Sequence, residues 1–431
     1  MLIEPIATGA TLRRPRDPII SGVRYSVAWT LVVFAPLLAF WLTGYEEPFG
    51  DPTLRATALA GSAALFTGLY LAGRVLDLPG TRGTVHGVPI MLACFGLAAL
   101  VLFVGRIEYS RLALFYSAAS ATLIATQLRR SRRTLRRQPF YIVPFGEAPA
   151  MEEIEGFPIR RLKRPDIPAD KAANIVADFR AELPAPWVRL LARASLAGVP
   201  VYHYKQLTEN LTGQVKIESL SENSLGSLTP NRSYTPVKRL IDAFGSAALI
   251  IALAPFMAVV ALIIWAQDRD SPFYIQTRTG MGGRPFRMYK FRSMTNRVAV
   301  SGAAARADAI TQEDDARITR FGALIRKFRV DELPQLFNVL KGDMSLIGPR
   351  PEANALANWY DDNLPFYSYR NIVKPGLTGW AQVNQGHVAT LEDIDVKLQY
   401  DFYYIKYFSF WLDVLIVMRT IHTIATGFGS K

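Results

Sequence analysis

The stretch AFGSAALIIALAPFMAVVALIIWA, residues 243–266, decides the fold class. It runs for 24 residues without a charge, longer than the roughly 20 apolar residues that cross a bilayer core of about 30 Å. Length alone reads as a crossing helix. Two features oppose that reading. Pro255, near the middle, removes a helix hydrogen bond and crowds the preceding turn. Both flanks are also basic, with Lys238 and Arg239 before the run and Arg269, Arg278, Arg284, Arg287, Lys290 and Arg292 after it. A crossing would leave one flank outside, against the bias of Lys and Arg toward the cytoplasmic face. A helix that enters at about residue 240, breaks at Pro255 and returns by 266 keeps both flanks inside. Its loosened backbone must then find partners in protein or headgroups, because hydrocarbon offers none. The residues favour the re-entrant form and leave the crossing form open.

Towards the N-terminus lie further uncharged stretches, Tyr25–Tyr45, Ala56–Gly73, Gly83–Gly105 and Leu112–Leu128. Each is near the length of a membrane span. Arg13, Arg14, Arg16 and Arg24 precede the first, and Arg129, Arg130, Arg132, Arg133, Arg136 and Arg137 follow the last, whereas the first loop carries Glu46, Glu47 and Asp51. The expectation is a cytoplasmic segment over 1–24 and a four-helix transmembrane unit over 25–128, with both ends cytoplasmic. No cleavable signal is expected, because the first apolar run is long and lacks a small-residue cleavage pattern.

Between the apolar regions, residues 139–218 read as a small cytoplasmic α/β module. Short β-like runs at Phe140–Pro144, Asn174–Val176 and Val199–Tyr204 alternate with a helix-like stretch at Trp187–Ala197. Residues 219–236, rich in Ser, Asn, Thr and Pro, read as a linker. Residues 237–431 form the remaining, α-rich domain. Half of the 431 residues are hydrophobic and the net charge is +13. Because the basic residues cluster beside apolar runs, anionic lipid is their expected partner and nucleic acid is not. Cys94 is the single cysteine, which excludes an internal disulfide and a cysteine-zinc cluster.

The chemistry sits in RKFRVDELPQLFNVLKGDMSLIGPRPE, residues 326–352. Leu333, Leu336, Phe337 and Leu340 fall at i, i+3, i+4 and i+7, one apolar face of a helix. Asp331 and Glu332 stand at its start, with Pro334 in the first turn. Taken alone, Asp331 caps that helix and Glu332 complements its dipole. Arg326, Arg329, Arg350, Lys290 and Arg292 change the balance, since cations and helix N–H donors suit phosphate. Adjacent carboxylates can share Mg²⁺, which takes a few carboxylates plus substrate phosphates. A carboxylate can also act as a nucleophile toward phosphorus. The combination points to phosphoryl transfer at a membrane surface.

Several stretches resemble one family: KR-x-x-D at 238–242, Q-x-R-x-G at 276–280, KFRSM at 290–294, DELPQLFNVLKGDMSLIGPRP at 331–351, KPGLTGWAQVN at 374–384 and YDFYYIKYFS at 400–409. In that order they resemble the bacterial sugar transferases, the polyprenyl-phosphate hexose-1-phosphate transferases. The spans and module ahead of them look like the family's large members. The resemblance implies a re-entrant helix broken at Pro255, with Ala254 where the family commonly has serine. It implies Asp331 as nucleophile, Glu332 as its partner at a Mg²⁺ site that both carboxylates serve, and Arg326 and Arg350 as phosphate-binding residues. Lys290 and Arg292 lie in a family motif and are candidates for phosphate or headgroup contact. The implied partners are a UDP-sugar, a polyprenyl phosphate and the bacterial inner membrane, with the site on the cytoplasmic face. A homo-oligomer is left open. The rival functions are a metal-dependent glycosyltransferase releasing UDP and a non-catalytic assembly scaffold.

Other signals weigh less. Asp268-Arg269-Asp270 is a D-x-D tripeptide just beyond the apolar run. Gly280, Gly282 and Gly283 read as a turn rather than a dinucleotide site. His86, His203, His387 and His422 have no metal-ligand spacing. Tyr400, Tyr403, Tyr404, Tyr407, Phe408 and Trp411 suit the membrane interface or ordinary packing equally.

Overall fold

The computed structural model describes residues 27–34, 51–76, 87–132, 139–154, 157–170, 173–217, 229–295, 317–385 and 390–426. The chain divides into two compact units, 1–212 and 213–431.

The first unit opens with a helical bundle. Helices α1 (Pro52–Leu76), α2 (Gly87–Val104) and α3 (Arg111–Arg132) pack with the π-helical turn Thr30–Phe34. Their shared core holds Val32, Leu65, Met91, Phe95, Leu102 and Leu114. Gly68 is required there, because a Cβ would stand 2.6 Å from the Met91 sulfur. Large apolar side chains also point outward, among them Leu59, Leu97, Phe103, Leu112 and Phe115, as lipid rather than water would demand. Of these helices only α1 is long and apolar enough to cross a membrane unaided. The apolar parts of α2 and α3, Ile90–Val104 and Arg111–Ile124, are shorter, reaching about 22 Å at 1.5 Å per residue. The expected first span, residues 25–45, lies outside the described residues except for 27–34.

The rest of this unit is an α/β module. Strands β1 (Phe140–Ile142), β2 (Ile159–Arg161), β3 (Asn174–Ala177) and β4 (Val201–His203) form a parallel sheet in the order β2-β1-β3-β4. Helix α4 (Ala185–Leu196) packs Trp187, Leu190 and Ala194 on one face of the sheet. Helix α5 (Tyr204–Thr212) places Leu207 against Ile142 and Val176 on the other. The expected strands at 140, 174 and 199 and the helix at 187 are present, and β2 is an addition.

The second unit is built around α6 (Tyr234–Asp268), a single helix of 35 residues. Pro255 lies inside it without ending it, so the expected break divides no element, since a lost N–H leaves the bonds on either side in place. Its buried side chains fall into two sets. Tyr234, Lys238, Asp242 and Ser246 form one stripe, and Met257, Val260 and Ile264 form another. Lys238 Nζ donates to Asp413 Oδ2 at 2.7 Å, and Arg239 donates to the carbonyls of Val339 and Leu340. The second stripe packs with Phe291 and Ile325. The stretch between the stripes leaves Leu249, Ile251 and Phe256 exposed.

After α6, strands β5 (Phe273–Thr279) and β6 (Pro285–Phe291) make an antiparallel hairpin pairing Gln276 with Met288. Helices α7 (Arg320–Lys327) and α8 (Gln335–Lys341) follow, then strand β7 (Ser345–Ile347). Helix α9 (Asn354–Asn363) precedes β8 (Gly376–Thr378), which pairs in parallel with β7. Helices α10 (Trp380–Asn384), α11 (Leu391–Lys406) and α12 (Phe410–Thr426) complete the unit. Tyr403 and Tyr404 are fully buried, and Phe408 nearly so. Packing therefore accounts for them, and the Tyr404 hydroxyl donates to Ile347 O at 3.1 Å. Asn338 joins α8 to the hairpin, donating to Arg287 O at 2.7 Å and accepting from Tyr289 N at 2.9 Å.

Candidate active site

Asp331 and Glu332 lie on a 3₁₀ turn, Val330–Glu332, immediately before α8. Arg329 enters this turn with φ 54°, a left-handed conformation uncommon for a side-chain-bearing residue. Neither carboxylate caps a helix: no side-chain cap bond forms at the turn or at α8, whose N-cap position is Pro334. Both are therefore available for other partners.

Glu332 is buried and takes cations on both oxygens. Arg350 Nη2 donates to its Oε1 at 2.8 Å. Lys290 Nζ, from β6, lies 3.6 Å from the same oxygen, and Arg329 Nη1 lies 4.0 Å from Oε2. Burial alone would raise the Glu332 carboxyl, but Arg350, Lys290 and Arg329 outweigh it and bring the group down to about 2. Asp331 makes no hydrogen bond or ion pair among the described residues. Its carboxyl is raised, first by burial and further by Glu332, while Lys290, Arg326 and Arg350 pull the other way. Two neighbouring carboxylates are thus pushed apart in acidity, which separates their chemical roles. Arg326 comes from the last turn of α7, whose N-terminus is capped by Thr319 accepting from Gly322 N at 2.8 Å.

Arg292, a candidate for phosphate or headgroup contact, pairs with other carboxylates than the dyad. Its buried guanidinium donates to Asp268 Oδ1 at 2.5 Å and Asp270 Oδ2 at 2.9 Å, fastening the hairpin to the end of α6. The same pairing occupies the D-x-D tripeptide. Pro255 lies in α6 and not at the dyad.

Residues 233–427 match the family described as bacterial sugar transferase. A UDP-N-acetylgalactosamine-undecaprenyl-phosphate N-acetylgalactosaminephosphotransferase of Aeromonas hydrophila is 43% identical over 404 residues, covering 93% of this chain and 94% of that one. The chain belongs to the bacterial sugar transferase family. A UDP-glucose:undecaprenyl-phosphate glucose-1-phosphate transferase of Xanthomonas campestris pv. campestris is 38% identical over 210 residues, 48% of this chain and 42% of its own length. The exopolysaccharide production protein PSS of Rhizobium leguminosarum bv. phaseoli is 39% identical over 191 residues, 43% of this chain and 93% of its own.

This sugar transferase therefore carries its dyad inside the matched region, with Glu332 buried and Asp331 partly so. Among the described residues no cluster of three or more His, Cys, Asp or Glu side chains could hold a metal. A pair of carboxylates still fits Mg²⁺, which completes its shell with water and substrate phosphate. Asp331, without a hydrogen bond or ion pair among the described residues, and the neighbouring Glu332 are the carboxylates that would hold it.

Sequence reasoning missed a second charged layer behind Arg350. Arg278 of β5, Glu352, Arg370, Lys397 and Asp401 form a buried network there. Lys397 Nζ donates to Glu352 Oε1 at 2.5 Å, and Arg370 Nε to Asp401 Oδ2 at 3.0 Å. The quoted motifs held three of its members singly, Arg278 in Q-x-R-x-G, Glu352 at the end of 326–352 and Asp401 in YDFYYIKYFS, and Arg278 donates to Gln276 Oε1 at 2.7 Å.

Proposed function

We propose that this chain is a polyprenyl-phosphate hexose-1-phosphate transferase, moving a sugar 1-phosphate from a UDP-sugar to undecaprenyl phosphate and so beginning a surface polysaccharide. The observation that carries the reading is the dyad itself. One carboxylate is locked among cations, and its neighbour is left unpartnered, inside a region shared with enzymes named for this reaction.

In the proposed mechanism, Arg326, Arg350 and Lys290 hold the donor diphosphate. Glu332 fixes Arg350 and Lys290 in place. An Asp331 oxygen attacks the phosphorus bonded to the sugar oxygen, the bond from that phosphorus to UMP breaks, and UMP leaves. A phosphate oxygen of the lipid then attacks the same phosphorus, freeing Asp331 and giving a polyprenyl-diphospho-sugar. Two displacements through a covalent intermediate let a soluble and a lipid substrate use one site in turn. Mg²⁺, held by Asp331 and Glu332, would neutralise diphosphate charge. N-acetylgalactosamine is the sugar we place first, because the relative that matches from end to end bears that name.

The chain is membrane-associated, and we read it as a multi-pass protein of the bacterial inner membrane with the site on the cytoplasmic face. Four N-terminal spans and a re-entrant α6 complete this reading. Support for the re-entrant form comes from the two buried stripes of α6, which rest on the same unit while the stretch around Pro255 is exposed.

The test incubates membranes with undecaprenyl phosphate and a panel of UDP-sugars. UMP release with lipid-linked product is expected, and Asp331→Asn should abolish both, because an amide is a far poorer nucleophile. Release of UDP would favour a transferase that passes the bare sugar. No nucleotide release would favour a scaffold.

A further inference from the structure

Arg350 is presented by an unusual piece of backbone, Pro349-Arg350-Pro351-Glu352. The two prolines have no N–H and a fixed φ, and Pro351 holds Arg350 in an extended conformation. Such a segment cannot satisfy its carbonyls by local helical bonding, so each needs a donor from elsewhere. All four find one. Pro349 O accepts from Gly376 N at 2.8 Å and Glu352 O from Thr279 N at 3.3 Å. Arg350 O accepts from Arg370 Nη2 at 3.0 Å and Pro351 O from Arg278 Nη1 at 3.3 Å. The outer two donors are backbone, and the inner two are arginine side chains.

Those arginines are themselves fixed. Arg370 is buried and spends its other donors on Asp401 Oδ2 at 3.0 Å and the Tyr367 hydroxyl at 2.8 Å. Arg278 spends its remaining donors on Gln276 Oε1 at 3.1 and 2.7 Å. Amide side chains would have served two carbonyls without gathering positive charge behind a third arginine. Guanidinium groups instead tie the segment rigidly to β5 and α11, through several bonds each.

We propose that Arg278 and Arg370 are positioning residues for transfer, holding the Arg350 segment so that its guanidinium meets Glu332 and the substrate phosphate. The inference rests on the proposed placement of Arg350 in the site. Neither arginine touches the dyad directly; each grips a carbonyl of the segment that carries Arg350.

The experiment is a double-mutant cycle on the full-length protein in membranes, with UMP release as readout. Arg350→Lys, which keeps a charge and residual rate, is combined with Arg278→Gln and, separately, with Tyr367→Phe, which loosens Arg370 without stranding Asp401. In the native background, Arg278→Gln should cost about tenfold or more in rate, as a displacement of the order of 1 Å does. In the Arg350→Lys background the same change should cost less than about twofold, because residues acting through one another are not additive. Should Arg278→Gln fail to accumulate, Arg278→Lys keeps one donor and should give a smaller, equally non-additive loss. Additive losses, or rates within about twofold of native, overturn the proposal. If Arg350→Lys is itself silent, the placement of Arg350 in the site fails instead.

Discussion

Asp331 and Glu332 are adjacent in the chain, and their carboxyls are shifted in opposite directions. Lys290 is the strongest of the charges that keep Asp331 ionised against burial. The sign follows directly. A cation favours the carboxylate, so Lys290→Met raises the Asp331 pKa and moves the acid limb of kcat/KM to higher pH. The loss against native should therefore be larger at lower pH and shrink as pH rises, since a higher pH favours the carboxylate in both proteins. An acid limb that stays in place would remove Lys290 from the site. Asp331, Glu332, Lys290 and Arg350 were legible as a charged group because acids and cations stand in short, dense motifs. Lys290 and Arg292 looked alike in the sequence, two residues apart as if on one face. The structure separates them by their partners: Lys290 lies by Glu332, whereas Arg292, whose N–H still bonds Pro272 O, reaches Asp268 and Asp270 at the end of α6. The donors to the Arg350 segment were illegible for another reason: Arg278 lies 73 positions from its acceptor and Arg370 lies 20 from its own.

At the scale of the element, α8 departs from the expected apolar face. Leu336 and Val339 are buried, but Phe337 and Leu340 are exposed. The helix has only seven residues, too few for periodicity to fix a face, and its buried side includes Gln335 and Asn338. Asn338 is what couples α8 to β6. Asn338→Leu would remove the bonds to the part-buried Tyr289 N–H and Arg287 carbonyl, at about 0.5–1.5 kcal/mol for each bond lost. The expected result is a lower unfolding midpoint in detergent, with kcat falling as the dyad turn loses its support. An unchanged midpoint would mean that the amide carries no load. The α/β strands were readable from their β-branched runs, except for β2, whose sequence Ile159-Arg160-Arg161 carries no alternation to read.

For the whole molecule, the division at 212/213 separates the matched family region from the bundle and module. The Rhizobium relative is covered over 93% of its own length by a match that takes only 43% of this chain. Residues 213–431, expressed alone in membranes, should therefore still release UMP from a UDP-sugar and yield lipid-linked product. Complete loss of activity in a folded fragment would assign the first unit a part in catalysis.

The two buried stripes of α6, with exposed apolar side chains between them, have a consequence beyond anchorage. If α6 enters and leaves by one face, as proposed, it would occupy area in a single leaflet and displace acyl chains there without matching them opposite. Its depth then depends on lateral pressure in that leaflet. On that reading the surrounding lipids would set how far Asp331 stands from the headgroup plane, and so would belong among the determinants of the proposed rate.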